Sequence, residues 1–169
     1  MPVPGPHALV AALAPRSAPA SWPAATIPSG AATLRRPPGW RSVEGDDGTV
    51  SFALRDAGGR YLGYLNVTPH QGEERLRGWA AFRLHRNSEE GDRGVRELAA
   101  REGVAFPGGH GSCVIDDYGS RAGANPYREI ACIVRGRRTE SVLIAAALRP
   151  DWHAVEPALA GAVESFSER

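Results

Sequence analysis

GSCVIDDYGSRAGANPYREIACIV, residues 111–134, carries both cysteines of the chain, each inside an apolar run, with Asp-Asp-Tyr and a glycine-containing bend between them. If 112–120 and 127–135 are antiparallel strands joined through RAGANP, one register sets Cys113 opposite Cys132, Ile115 opposite Ile130 and Asp117 opposite Arg128. An apolar pair and an opposite-charge pair then share the cysteine face, and the agreement of three pairs favours this register over slipped ones. The other face pairs Val114 with Ala131 and Tyr118 with Tyr127, but it also opposes Asp116 and Glu129, two like charges that repel. An arginine from a helix, Arg83 or Arg86, is the expected compensation. The sharper alternative is a small acidic site flanked by Tyr118 and Tyr127 and suited to a cationic ligand.

The two cysteines admit three readings. Facing positions on neighbouring strands bring them close enough for a disulfide, the preferred reading. Buried free thiols are the second. A catalytic or metal role is the third, but a separation of 19 positions without CxxC or paired histidines is poor evidence for zinc. A nucleophilic thiol would need a base such as His110 or His153, and the spacing recommends neither.

Outward from this segment the same pattern continues. TESVLIAAALR (139–149) reads as a third strand with Leu143 and Ile144 on opposite faces, which calls for cover on both sides of the sheet. Upstream, 39–45 opens a strand, and 49–56 with 60–67 form a hairpin across AGG that pairs Val50 with Val67, Phe52 with Leu65 and Leu54 with Gly63. Between the two strand groups, 73–88 carries Leu76, Trp79, Ala80 and Phe82 at helical spacing. A second helical piece, 90–102, places Val95, Leu98 and Ala99 on one face. At the end, Trp152, Val155, Leu159, Ala162 and Phe166 recur at intervals of 3 and 4 behind Asp151 as N-cap, with the regular helix expected to begin at Pro157 after a looser turn. The expected fold is α+β: an antiparallel six-stranded sheet with helices on both faces, an α/β/α sandwich in the order βββ-α-βββ-α.

With 169 residues, the chain is long enough for one core of ordinary size. Residues 1–38 are dominated by Ala and Pro and are expected to be disordered; HALVAALA and SAPA within them share features with an export signal, although no positive residue precedes HALVAALA and Pro15 interrupts it. Residues 39–169 form the expected single domain. A net charge of +1 gives no bulk electrostatic case for nucleic acid or an anionic membrane, and no stretch approaches 18 consecutive apolar residues. All 20 basic residues are arginine, which removes lysine Schiff-base and lysine general-base chemistry. PGGHG (107–111) lacks the Lys-Ser/Thr of a phosphate loop, and there is no GxSxG. His85 and Glu89, spaced i, i+4 with no third ligand nearby, read as a solvated helix face rather than a metal pair.

The Gly39-Trp40 entry, the long helical excursion between two three-strand groups, and the Asp151-Trp152 helix ending in Glu164-Ser165-Phe166 resemble the PsbP-like α/β/α sandwich group over about residues 39–168. That group includes extrinsic photosystem proteins, a eukaryotic Ran-binding factor and actinobacterial LpqN-type secreted proteins or lipoproteins, the branch this chain most resembles. The resemblance implies a non-enzymatic binding or assembly module, often extracytoplasmic in bacteria, with no catalytic residue, metal or cofactor to carry over. The chain departs from the lipoprotein members in having no lipidation cysteine near its start. The expectation is an exported module, monomeric or weakly oligomeric, whose partner is a protein or small molecule and not nucleic acid. Two alternatives stand beside it: an enzyme working through Asp116, Tyr118, Tyr127 and Glu129, and a cytoplasmic scaffold with reduced thiols.

Overall fold

A computed structural model describes residues 19–169. Its main sheet has seven strands in the order β3-β4-β5-β9-β8-β7-β6: β3 (Arg41–Ser42), β4 (Val50–Arg55), β5 (Tyr61–Pro69), β6 (Arg93–Phe106), β7 (Gly109–Gly119), β8 (Pro126–Arg135) and β9 (Glu140–Leu148). Every neighbouring pair is antiparallel. A separate three-stranded sheet, β1-β2-β10, is built from β1 (Ala24–Thr26), β2 (Ala32–Arg35) and β10 (Ser167–Glu168). Two helices complete the described fold: α1 (Trp79–Glu89) and α2 (Trp152–Glu164), the second entered through a 3-10 turn at Arg149–Asp151.

The six pairs expected between β7 and β8 all occur. So do the three expected between β4 and β5. Alternation across β7, β8 and β9 separates two cores. Cys113, Ile115, Ile130, Cys132, Leu143 and Ala145 face α2 and the small sheet, packing with Val155, Leu159, Ala162, Ile27 and Leu34. Val114, Ala131, Ile133 and Val142 face the other way and pack with Trp79 of α1.

Four expectations are corrected. The sheet has seven strands, not six, and one of its faces is covered by a helix together with a three-stranded sheet instead of helices alone. The additional long strand is β6, where 90–102 suggests a helix. Three one-residue bulges interrupt its pairing with β7, at 93–96, 97–99 and 101–104. Each extra residue shifts the period-2 alternation, so Leu98 and Ala99 both reach the core and the apolar spacing imitates a helix. Gly94 and Gly103, at two of the bulges, have φ of 60° and 67°, which the absence of a Cβ permits.

The third correction concerns residues 19–38. Ile27, Ala32 and Leu34 are buried, and β2 pairs with both β1 and β10. The Arg35 amide donates to Ser165 Oγ (2.8 Å) and its guanidinium to the carbonyls of Ala20 and Trp22 (3.1 and 2.8 Å). A segment poor in large apolar groups is thus ordered by borrowing the core and the hydrogen bonds of the rest of the domain. The expected disorder of 1–18, and HALVAALA with it, lie outside the described residues.

Finally, both helices are shifted. α1 begins at Trp79 because Gly78, with φ 75°, sets its entry. α2 runs through Pro157 and stops at Glu164, so Phe166 is buried from beyond the helix end. Among the described residues, no helix is long and apolar enough to cross a membrane.

Candidate functional site

Asp116 and Glu129 are direct partners across β7 and β8, and both side chains are buried. Spacing on α1 decides what meets them: Trp79, Arg83 and Asn87 recur every four residues and so share one face of the helix. Trp79 Nε1 donates to the Ala131 carbonyl (2.9 Å), which fixes the helix to the centre of the sheet. One turn on, Arg83 donates in bidentate fashion to Glu129, Nε to Oε1 at 2.8 Å and Nη2 to Oε2 at 3.1 Å. A further turn on, Asn87 Nδ2 donates to Glu129 Oε1 (3.1 Å). Arg83 is therefore the compensating cation. Arg86, the other candidate, pairs with Glu90 on the exposed side (3.1 Å).

The two carboxyls divide their roles. Burial alone would push Glu129 up, but the charge and hydrogen bonds of Arg83, with those of Asn87 and Asp116, outweigh it and hold Glu129 below the usual carboxylate range. Asp116 has no donor from the surrounding protein on either oxygen. Burial, then the charge of Glu129 and a hydrogen bond to it, push Asp116 up to about 9. At neutral pH the pair holds one proton, on Asp116, and one negative charge, on Glu129, facing Arg83. The like-charge conflict legible in the register is resolved twice over, by a guanidinium and by a retained proton.

Tyr118 and Tyr127 form the next pair along the same face, with stacked rings 5.9 Å apart. Burial raises both phenols above their ordinary value, Tyr118 further because it is the more deeply buried of the two and the Glu129 charge lies near it. Tyr118 and Tyr127 stay half-buried, whereas Asp116 and Glu129 are closed off. The four expected site residues are thus brought together, but only the tyrosines reach the surface.

The tyrosine pair belongs to a larger surface. α1 lies over β6, β7 and β8. The same sheet face over β4, β5 and β9 is left without a described helix, and there Tyr64, Asn66, Thr68 and Ile144 are half-exposed. Tyr61 and Tyr64 have ring centroids 6.3 Å apart, and Arg55 lies over the Tyr61 ring at 4.7 Å. All four tyrosines of the chain therefore lie along one ledge. The ledge continues into a groove of about 740 Å³ between α1 and the strands, floored by Asn66, Thr68, Val142 and Ile144. Ser51 Oγ accepts from Asn66 Nδ2 (2.8 Å) and Tyr64 Oη (3.3 Å), which holds the floor in place. Tyr61 and Tyr64 were not legible as site residues, because only the β5–β9 pairing joins the two strand groups.

On the opposite face, Cys113 and Cys132 are disulfide-bonded with Cα atoms 4.1 Å apart. His85 pairs with Glu89 (3.1 Å) on the exposed side of α1.

No family model matches the chain, and no curated protein matches it. Solved structures do. The cyanobacterial PsbP protein CyanoP of Synechocystis is 17% identical, with 89% of this chain and 94% of that one covered at a TM-score of 0.60. LpqN of Mycobacterium tuberculosis, described as involved in cell envelope biogenesis, is 13% identical, with 90% and 88% covered at 0.50. A Bacteroides thetaiotaomicron protein is 11% identical at a TM-score of 0.52; 86% of this chain matches, but it spans only 48% of that longer one. At these identities the likeness is one of architecture, and the chain has a PsbP-like fold.

Proposed function

We propose that this chain is a non-enzymatic binding or assembly module that works outside the cytoplasm, and that it contacts its partner through the tyrosine ledge and the adjoining groove. One observation carries the reading: the sheet face that α1 covers only in part carries all four tyrosines of the chain, Tyr118 and Tyr127 at the border of the covered strands and Tyr61 and Tyr64 on the bare ones, beside a groove with both polar and apolar lining. Tyrosine and arginine are the residues that most often dominate contact energy, because they offer large rigid area with a polar end. Against the enzyme alternative, Glu129 is occupied by Arg83 and Asn87, and Asp116 is buried beneath α1. Export is supported by the disulfide, which belongs to oxidising compartments, and by the likeness to an envelope protein.

The test compares capture by the full chain, by a Tyr64→Ala/Tyr127→Ala variant and by a His153→Ala control on α2, with the captured species identified by mass spectrometry. A species recovered chemically unchanged, lost from the ledge variant and kept by the control, is the expected result. Recovery of a converted species, or capture indifferent to the ledge, would overturn the reading. Fractionation of the native host should place the chain outside the cytoplasm; a cytoplasmic chain with two alkylatable thiols would sink the export half.

A further inference from the structure

The cysteine face ends in a charge cluster that the groove does not use. Asp117, buried on β7, accepts a bidentate pair from Arg128 of β8: Nε to Oδ1 at 2.7 Å and Nη2 to Oδ2 at 3.1 Å. Arg128 is itself buried, and its guanidinium lies 5.6 Å above the Trp152 ring. One carboxylate and one guanidinium already make a complete, neutral pair.

Two more guanidiniums nevertheless converge on the same oxygen. Arg96 of β6 brings Nη2 to 3.2 Å from Asp117 Oδ2, and Arg149 of the 3-10 turn brings Nη1 to 3.6 Å. Among the described residues, no other carboxylate forms an ion pair with any of these three arginines. Two positive charges are therefore in excess. The side chains of Arg96 and Arg149 are 64% and 44% exposed, and each brings only one terminal nitrogen to Asp117, which leaves further N–H groups on each guanidinium to donate elsewhere. α2 begins immediately after Arg149–Asp151, and Asp151 at its N-cap makes no side-chain hydrogen bond. The first-turn amides bring partial positive charge to the same end of the sheet, but the Asp151 carboxylate beside them offsets it, so the excess rests on the two guanidiniums.

We propose that Arg96 and Arg149 form a clamp for a dianionic phosphate group, with the Arg128–Asp117 pair as its fixed base. The charge of such a group matches the excess, and its tetrahedral oxygens can accept from two guanidiniums at once, which a single planar carboxylate does less well. The group comes either from a soluble phosphomonoester or from a phosphate-bearing lipid headgroup. This site lies on the sheet face opposite the tyrosine ledge and stands or falls separately from it.

The full chain is titrated at low ionic strength with inorganic phosphate and glycerol phosphate, following the arginine Nε–H signals by NMR. In parallel it is floated with neutral vesicles and with vesicles containing phosphatidic acid. Saturable binding is expected, weakened at least ~10-fold in Arg96→Gln/Arg149→Gln, because two charge-assisted contacts are lost. Arg75→Gln/Arg77→Gln, which lowers net charge equally at exposed positions away from the cluster, should bind as the parent does. Binding to soluble phosphates alone assigns a soluble ligand; flotation specific to phosphatidic acid and lost in the clamp variant assigns a headgroup. Neither form of binding, or equal losses in the two double variants, overturns the clamp. Arg128 keeps Asp117 paired in the clamp variant, and Arg149→Gln alone serves as a milder variant if the double does not fold.

Discussion

Glu129 lies directly across the β7–β8 ladder from Asp116, and at neutral pH only Glu129 carries a charge. The folded chain keeps a proton on Asp116 that the unfolded chain releases near its ordinary carboxylate value. Between about pH 4 and the folded value of about 9, the native state binds more protons, so this group's contribution to stability falls as pH rises. It is fully present below that window and lost as pH rises through the folded value. Glu129, held low, acts in the opposite sense: its contribution is present above its ordinary value and lost as pH falls through its depressed one. Asp116→Asn, which keeps a donor facing Glu129 without a titrating proton, should stabilise the protein by about 1–3 kcal/mol at pH 8 and flatten the slope above pH 5. Urea midpoints at pH 5, 7 and 9 measure it; an unchanged slope in the variant would exclude a proton held on Asp116.

Arg83→Met leaves Glu129 buried without its cation. A cost of about 3–5 kcal/mol is expected, as for other broken buried pairs. Adding Glu129→Gln should recover a large part of it. Denaturant unfolding of the four members of this cycle gives the coupling, and strictly additive losses would mean that the contact contributes nothing of its own.

The disulfide predicts a chemical and a thermodynamic result. Without reductant, the denatured chain should take up no alkylating agent; after reduction it should take up two equivalents, read by intact mass. Reduction should cost about 2–4 kcal/mol of stability, since the closed loop no longer restricts the unfolded chain. Alkylation without reductant would contradict the bond.

Gly161 of α2 sits beneath the Trp22 ring, whose Cη2 is 2.7 Å from where a Cβ would stand. Gly161→Ala should therefore cost about 1–3 kcal/mol through overcrowding. The loss should shrink in a Trp22→Ala background. If Trp22 were not docked on α2, the single variant would be neutral or slightly stabilised as a helix gains alanine, and thermal melts of both distinguish the cases.

The parts of the fold legible in the sequence are those with many simultaneous constraints. Six facing pairs between β7 and β8 leave little room for a slipped register, which is why Cys113–Cys132 and Asp116–Glu129 could be placed without coordinates. The compensating Arg83 was within reach for the same reason, because an unpaired charge demands a partner. Asn87 was not, although its spacing from Trp79 and Arg83 puts it on the same helix face. β6 was misread because its bulges remove the alternation that marks a strand. β1 and β2 were missed because their order comes from the core supplied by α2 and from hydrogen bonds to Ser165 and Trp22, none of which local composition encodes.

The three bulges of β6 have one more effect. This strand is the long free edge of the main sheet, and its outward amides are the natural template for a strand from another molecule. A regular partner zipping along it would fall out of phase at each bulge, and Arg93, Arg96, Glu97, Arg101 and Glu102 would bring their charges to the seam. The opposite edge, β3, offers only two residues. Among the described residues, the main sheet is thus blunted against extension from both sides, which works against copies of the chain stacking through it into fibres.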